Sequence, residues 1–335
     1  MAVARRRQCY PFSEIMSIYL TGIRKLGPAA LAILLAWSAP AAAEFPEKPV
    51  DYIIPFGAGG ESGITARLQQ PFFKKLTGQD LVVKYRPGGG GAVAWSQLNE
   101  MPDDGHTLIG VNLPHILLQP LRGANYKTED LGIVHIFHYT PHAILVREES
   151  QYKTLEDLIN VMNAKPGKVS FSGSGRGTAN HLAQVWFDGR LRAKSVYNDK
   201  KGTAAAIAAL LDEQVDASWS YTTGAVHHSD KLRMLAVAME NRHPKFPDVP
   251  TFRELGYDFV GGAYRGVAVP KSTTEKIRLK ISELFGRIGN YPVFKAQESK
   301  LGFVPLSIGY KDIPAFMTSK RGEYLPLARE ARLIE

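Results

Sequence analysis

Short apolar runs alternate with helix-patterned stretches along almost the whole chain beyond residue 50, and this alternation narrows the accessible folds more than any other feature. Residues 50–56, rich in branched and aromatic side chains, read as a strand that ends in glycines and passes into a helical pattern. Residues 81–85, 106–111, 131–137 and 143–146 read as further strands, with a helix over 92–99 between two of them. The second half repeats the style, with strands at 168–171, 215–221 and 232–238 and helices at 179–188 and 203–211. Thr154 and Asp157 have the spacing of a capping box, which predicts a helix opening at Leu155. Strands alternating with helices build parallel sheets covered on both faces. For 335 residues a single sheet would be large, so an α/β chain with two domains and mainly parallel sheets is expected. The first crossing falls near 141–147 and the return near 260–269. That assigns 44–142 plus 260–335 to one domain and 143–259 to the other, with helices from Thr273 onward closing back on the first. Pro71 interrupts the helical pattern Ile64, Leu68, Phe72, Leu76, and a kink or break near Gln70 is expected.

Residues 1–43 stand apart from this pattern. Arg24 and Lys25 precede an apolar run over 26–37, followed by Ser38-Ala39-Pro40-Ala41-Ala42-Ala43. A basic flank, a short apolar core and an Ala-x-Ala site describe an export signal, with cleavage expected after Ala43 and release into a periplasm. The run is shorter than the roughly 20 residues that a membrane-spanning helix needs. Met16 is an alternative start that gives a leader of ordinary length. Arg5-Arg6-Arg7 lies too far upstream of the apolar run to suit twin-arginine export.

Cys9, the single cysteine of the chain, lies in this leader, so the mature protein is expected to carry neither disulfide nor thiol nucleophile. Residues 1–43 hold five of the 41 Lys and Arg residues and one of the 32 Asp and Glu, so the remainder has a net charge of +5. That is mildly basic, and no run of basic residues marks a nucleic-acid surface. His135, His138 and His142 are spaced for a strand and turn, and the adjacent His227 and His228 diverge on any regular element, so no metal site and no cofactor is expected.

Two glycine-rich loops carry the chemical signal. Pro55-Phe56-Gly57-Ala58-Gly59-Gly60-Glu61-Ser62 and Phe171-Ser172-Gly173-Ser174-Gly175-Arg176-Gly177-Thr178 both join a strand end to a helix start. Glycine allows the backbone to turn tightly and approach a ligand, and a helix N-terminus offers unpaired N–H groups that suit an anion. Neither loop has the lysine of a phosphate-binding P-loop, and Ser62 stands where a dinucleotide fingerprint needs glycine. One such loop per domain, facing across a cleft, would hold a small anion at both ends. A third run, Arg86-Pro87-Gly88-Gly89-Gly90-Gly91, reads as a flexible connector that could also line the cleft.

Several single residues have two readings. Arg265, at the return crossing, suits a two-point grip on a carboxylate or a salt bridge between domains. Tyr221 and Tyr264 suit stacking on a ligand or core packing, and Asn112 ends a strand where it could donate to an acid. Lys200 and Lys201 read as a solvated turn. A serine-dependent hydrolase built on Ser174 and His181 is the enzyme alternative, but no nucleophile-elbow or zincin spelling accompanies it.

In combination these segments resemble the tripartite tricarboxylate transporter receptors, the Bug family. The resemblance is carried by Phe45-Pro46-Glu47-Lys48-Pro49-Val50, by Ala58-Gly59-Gly60 with Ala66-Arg67-Leu68, and by Arg86-Pro87-Gly88. It continues through Asp104-Gly105-x-Thr107-Leu108, Lys165-Pro166-Gly167, Ser174-Gly175-x-Gly177-Thr178, Gln214-Val215-Asp216 and Pro247-Asp248-Val249-Pro250-Thr251, in order over nearly the whole mature chain. It implies a periplasmic-binding-protein-like fold of type II, a hinged cleft for a small carboxylate, no catalysis, and delivery by a monomer to integral membrane transporter subunits. A receptor that docks to a membrane sensor is the alternative. The resemblance also implies ligand contacts at Phe56, Gly59, Gly60, Ser62, Ser172, Ser174, Gly177 and Thr178. Two departures matter. Gly63 replaces an aspartate that favours an ammonium group in amino-acid binders, which weakens an amino-acid ligand. The family's Pro-Tyr-Lys-Gly segment is spelled Asn198-Asp199-Lys200-Lys201-Gly202 here, which puts pocket contacts from that loop in doubt.

Overall fold

Phe45–Glu335 are the residues that the structure, a computed structural model, describes. The predicted leader, Cys9 and both candidate starts lie outside them. Strand β1 (Val50–Ile54) leads through the first glycine loop into α1 (Glu61–Thr77), and β2 (Leu81–Tyr85) is followed by the short α2 (Ala92–Ser96). Then come β3 (Thr107–Leu113), α3 (His115–Leu118) and the long β4 (Leu131–Arg147). The middle of the chain runs α4 (Leu155–Ala164), β5 (Ser170–Gly173), α5 (Ala179–Leu191), β6 (Val196–Asp199), α6 (Thr203–Leu211), β7 (Ala217–Tyr221), α7 (Thr222–His227) and β8 (Leu232–Val237). The return strand β9 (Gly262–Pro270) precedes α8 (Glu275–Asn290), α9 (Pro292–Lys300), β10 (Val304–Ile308) and α10 (Ile313–Glu330).

The strand order is β2-β1-β3-β9-β4-β7-β5-β6, with β8 and β10 also paired to β4. β1 is parallel to β2 and β3, and β5 is parallel to β6 and β7. Every antiparallel pair involves β4 or β9, the two strands that connect these parallel groups. Helices cover the parallel groups, as the alternation requires. One apolar core packs Tyr52, Phe73, Phe137, Phe285 and Phe294 around β1. Another packs Phe171, Phe187, Trp219, Phe252 and Phe259 around β7. At about 2 kcal/mol for each fully buried large side chain, these clusters supply much of the drive to fold. The C-terminal α10 places Ile313, Tyr324 and Ala328 in a third cluster with Ile116, Leu117 and Leu182.

The capping box forms as spelled: Thr154 Oγ1 accepts from the Asp157 N–H at 3.1 Å and Asp157 Oδ2 accepts from the Thr154 N–H at 2.9 Å. Three local expectations are corrected. Helix α1 is not broken near Gln70 but continues through Pro71 to Thr77. Proline removes one bond of the ladder, while buried Ala66, Gln69 and Phe73 and a bond from Gln70 Nε2 to the Leu81 carbonyl (2.7 Å) anchor the helix on both sides of it. The separate strands read at 131–137 and 143–146 are one strand, β4. Pro141 interrupts the apolar pattern without ending the strand, because it lies opposite Gly262 and the ladder resumes with the His142 N–H donating to the Gly261 carbonyl at 3.0 Å. Strands β6 and β10 were not expected from the apolar pattern; both are short, and no residue of β10 is buried.

Gly262 tests this crossing. A Cβ there would lie 2.0 Å from the Thr140 carbonyl oxygen, whereas one at Gly261 meets nothing within 4 Å. Gly262→Ala is therefore expected to cost about 3 kcal/mol, as forced overpacking does, and Gly261→Ala under about 1 kcal/mol. Thermal melts followed by circular dichroism check the pair, and equal losses would show that the close approach does not govern stability.

Candidate functional site

Both glycine loops lie where a parallel strand ends and a helix begins. Gly60 caps α1 and Thr178 caps α5, both in extended conformation and neither with a side-chain cap, so the first N–H groups of each helix have no such partner. Gly59 (φ 80°), Gly175 (φ 125°) and Gly177 (φ 68°) adopt positive φ, which is why glycine is needed in these turns. A cavity of about 700 Å³ opens between the loops. Phe56 of the first loop and Ser174 and Gly175 of the second line it, together with residues 88–91. Gln119 and Arg122, just beyond α3, residues 199–201, at the end of β6 and just past it, and Ala205 of α6 complete the wall with Arg176. The two sides touch at its edge, where Gln119 Nε2 donates to the Arg176 carbonyl at 3.0 Å.

The residues singled out from sequence divide into three groups. Phe56 and Ser174 face the cavity. Behind them, Asn112 Nδ2 donates to Ser62 Oγ at 3.2 Å, and Tyr221 lies under Arg265 at 5.0 Å and against His142 at 5.3 Å. The hydroxyls of the second loop are used internally: Ser172 donates to the Ala206 carbonyl at 2.8 Å, Ser174 to Asn180 Oδ1, and Thr178 to the Gly175 carbonyl at 2.7 Å. Gly59 sits beside Ala204, and the Gly177 N–H donates to His181 Nδ1 at 3.1 Å. Tyr264 points the other way, since neighbouring residues of a strand face opposite sides. It stacks on Tyr139 at 5.3 Å with the Lys320 ammonium 4.5 Å from its centroid. No hydrogen bond joins Ser174 to His181, so the pair that a hydrolase would need is not formed.

The cavity also collects residues that sequence reasoning passed over. The 88–91 run lies on its wall, the second of the two roles its spelling allowed, and the turn of Lys200 and Lys201, with Lys201 exposed, borders it as well. Arg176 sat within the second loop and could have been weighed, but nothing in the spelling marked Gln119 or Arg122. The space at Gly63 is taken by the Tyr85 ring, which a Cβ would approach to 2.9 Å.

Charge is distributed unevenly. Arg122, Arg176, Lys200 and Lys201 line the cavity with one acid, Asp199, which lies 3.3 Å from Arg176; Arg122 Nη1 donates to the Leu333 carbonyl at 2.9 Å and Lys200 Nζ to Gln214 Oε1 at 3.3 Å. Deeper in, Arg265 pairs with Glu61 and donates to the Thr140 hydroxyl and the Ala263 carbonyl. Burial pushes the Glu61 carboxyl up, and Arg265 and the Thr223 hydroxyl pull it back. His181 is lowered to about 4 by burial, reinforced by Arg122 and Arg176. Among the described residues no group of three or more His, Cys, Asp or Glu side chains is placed to hold a metal ion.

Two α/β lobes around a basic, glycine-walled cleft define a periplasmic solute-binding protein. Its backbone matches the periplasmic binding protein BugD with a TM-score of 0.81, at 25% identity over 87% of this chain and 99% of that one. The chain belongs to the family described as tripartite tricarboxylate transporter family receptor (TctC), whose sequence model matches residues 65–333. It is similar to protein BugT of Bordetella pertussis, 29% identical over 300 residues that cover 82% of this chain and 92% of BugT. It is also similar to MatC of Rhodopseudomonas palustris, solved with bound malate, at 25% identity and a TM-score of 0.77 over 87% of this chain and all of MatC (100%).

Proposed function

We propose that this protein captures a small organic carboxylate in the cleft, in the periplasm after removal of residues 1–43, and delivers it to a membrane transporter of the tripartite tricarboxylate type. The observation that carries the reading is the excess of cationic over acidic side chains on the cavity wall: Arg122, Arg176, Lys200 and Lys201 against Asp199. Glycine-rich backbone and two uncapped helix N-termini give an anion close N–H donors without bulky side chains. The malate bound to MatC and the family to which the chain belongs support the same class of ligand. In this reading the domains are 44–142 with 260–335 and 143–259. They close about β4 and β9, and closure excludes water and strengthens each polar contact.

A thermal-shift screen of the mature chain against di- and tricarboxylates, aromatic acids, hydroxy acids and amino acids tests this. An acid at a hundred times its Kd should add about 2.7 kcal/mol of stability. Arg176→Ala should weaken that acid about fivefold, close to 1 kcal/mol for an exposed charge. A flat response across the panel, after unfolding and refolding to strip co-purified ligand, would remove the carboxylate reading.

A further inference from the structure

Arg122 stands where three segments of the chain meet. It ends the 3-10 turn Pro120–Arg122 beyond α3, and its exposed side chain lines the cavity. On one side its stem lies against the second glycine loop, since a Cβ at Gly177 would come within 3.0 Å of Arg122 Cδ. Its charge helps hold His181, the acceptor of the Gly177 N–H, below the ordinary histidine value. On the other side Arg122 Nη1 donates at 2.9 Å to the carbonyl of Leu333, in the segment that follows α10. Arg176 pairs with Asp199, whereas among the described residues no carboxylate pairs with Arg122. The bond to Leu333 uses one of five guanidinium N–H donors, and a main-chain carbonyl leaves the charge uncancelled.

The place of Leu333 is set by the way α10 ends. Arg332 has φ 52°, its N–H donates to the Arg329 carbonyl at 2.8 Å, and the Leu333 N–H donates to the Ala328 carbonyl at 2.9 Å. These two bonds form a Schellman turn, with Arg332 in the left-handed position that glycine usually fills. The chain thereby folds back over the helix end, where Leu333 and Ile334 pack against the cluster of Ile116, Leu117 and Ala328. A residue other than glycine is disfavoured in that conformation, and this packing offsets the strain.

We propose that residues 331–335 belong to the binding site: the Leu333 carbonyl positions Arg122 on the cavity wall to receive the ligand's carboxylate. The inference rests on the carboxylate-receptor reading and adds a positioning group to it. An exposed arginine samples many rotamers and must be ordered on binding, whereas a tethered one is ordered beforehand. Two substitutions separate the turn from the charge of Arg332. Arg332→Gly removes the charge and keeps the left-handed turn. Arg332→Pro removes the same charge, fixes φ near about −65° and lacks the N–H given to Arg329.

Isothermal titration compares them, using malate or, if malate gives no thermal shift, the acid of the panel with the largest one. Arg332→Gly should bind within about twofold of wild type, while Arg332→Pro and Arg122→Gln should each bind about fivefold more weakly. In the Arg122→Gln background, Arg332→Pro should change affinity by less than about twofold, because the group it acts through is gone. A general loss of packing would weaken both backgrounds alike. Deletion of 333–335 makes the same comparison if the proline variant fails to fold. Arg332→Pro that binds like wild type, or that weakens both backgrounds equally, overturns the inference and leaves the carboxylate reading intact. A flat thermal-shift panel overturns both.

Discussion

Replacing Arg265 by alanine is expected to lower the stability of the ligand-free protein by about 3–5 kcal/mol, because it strands the Glu61 carboxylate in the interior. Arg265 joins β9 to the start of α1 through Glu61 and to β4 through Thr140, and it lies over the Tyr221 ring. Truncation removes all of these contacts at once, and water has little access to solvate the remaining charge. Arg265→Met combined with Glu61→Met should recover most of the loss, since a buried pair gives little net stability over apolar side chains of similar volume. Urea denaturation of the two variants and of wild type checks the ordering. A single variant within about 1 kcal/mol of wild type would show that the ion pair is not buried in solution as it is here. Sequence left Arg265 open between a ligand grip and a salt bridge between domains, whereas Glu61 and Arg265 fall within the same expected domain. The structure shows a salt bridge, and it also leaves Arg265 Nε without a partner.

Stability is expected to fall steeply as pH drops below about 6.5. Burial lowers His135 and His181 to about 4 and His142 to about 3, and it holds His115 well below the ordinary histidine value, with Arg265 adding to the last two. Below pH 6.5 these imidazoles bind protons in the unfolded chain and stay neutral in the folded one. Their contribution is therefore complete above 6.5 and is lost toward pH 4. At 1.36 kcal/mol per unit, each costs roughly 2 kcal/mol between pH 6.5 and pH 5. His138 and Glu298, 2.7 Å apart in the interior, behave differently. Burial lowers His138 and pushes Glu298 up to about 8, so the folded pair carries one proton on the carboxyl. Between about pH 4.5 and 6.5 the unfolded chain also carries close to one, on the imidazole, and the pair contributes almost no slope. From 6.5 to about 8 the unfolded chain has released that proton while the folded pair keeps it, so stability declines on the alkaline side as well. Urea midpoints at pH 5, 6, 7 and 8 should therefore peak near pH 7. A midpoint unchanged between pH 7 and pH 5 would mean that the histidines are solvated.

Much of the fold was legible because its signals are local. The strand at 81–85, the helix at 203–211 and the capping box at Thr154 depend on side-chain period and on groups a few residues apart, and the structure reproduces each at the expected bounds. Where a long-range partner decides, local reading went astray. Pro71 and Pro141 look like breakers until the packing of α1 and the presence of Gly262 opposite β4 are known. The short β6 has a weak apolar signal and is specified by pairing with β5.

The candidate site divides along the same line. Sequence marked the two glycine loops because tight strand-to-helix turns demand glycine, and the combined spelling of these and other segments along the chain resembled a family. Gln119 and Arg122 meet Ser174 and Arg176 only because two separate parallel groups of strands are brought face to face. Glu61 was read as one letter of a loop, and its pairing with Arg265, 204 positions away, became visible only in three dimensions. By itself, then, the sequence determined the α/β class, the positions of the anion-friendly loops and the family, since period, turn chemistry and helix polarity act over a few residues. The tertiary structure decided which cationic residues line the cavity and that Arg265 is paired with Glu61 in the interior, because burial and charge pairing depend on distances that chain order does not encode.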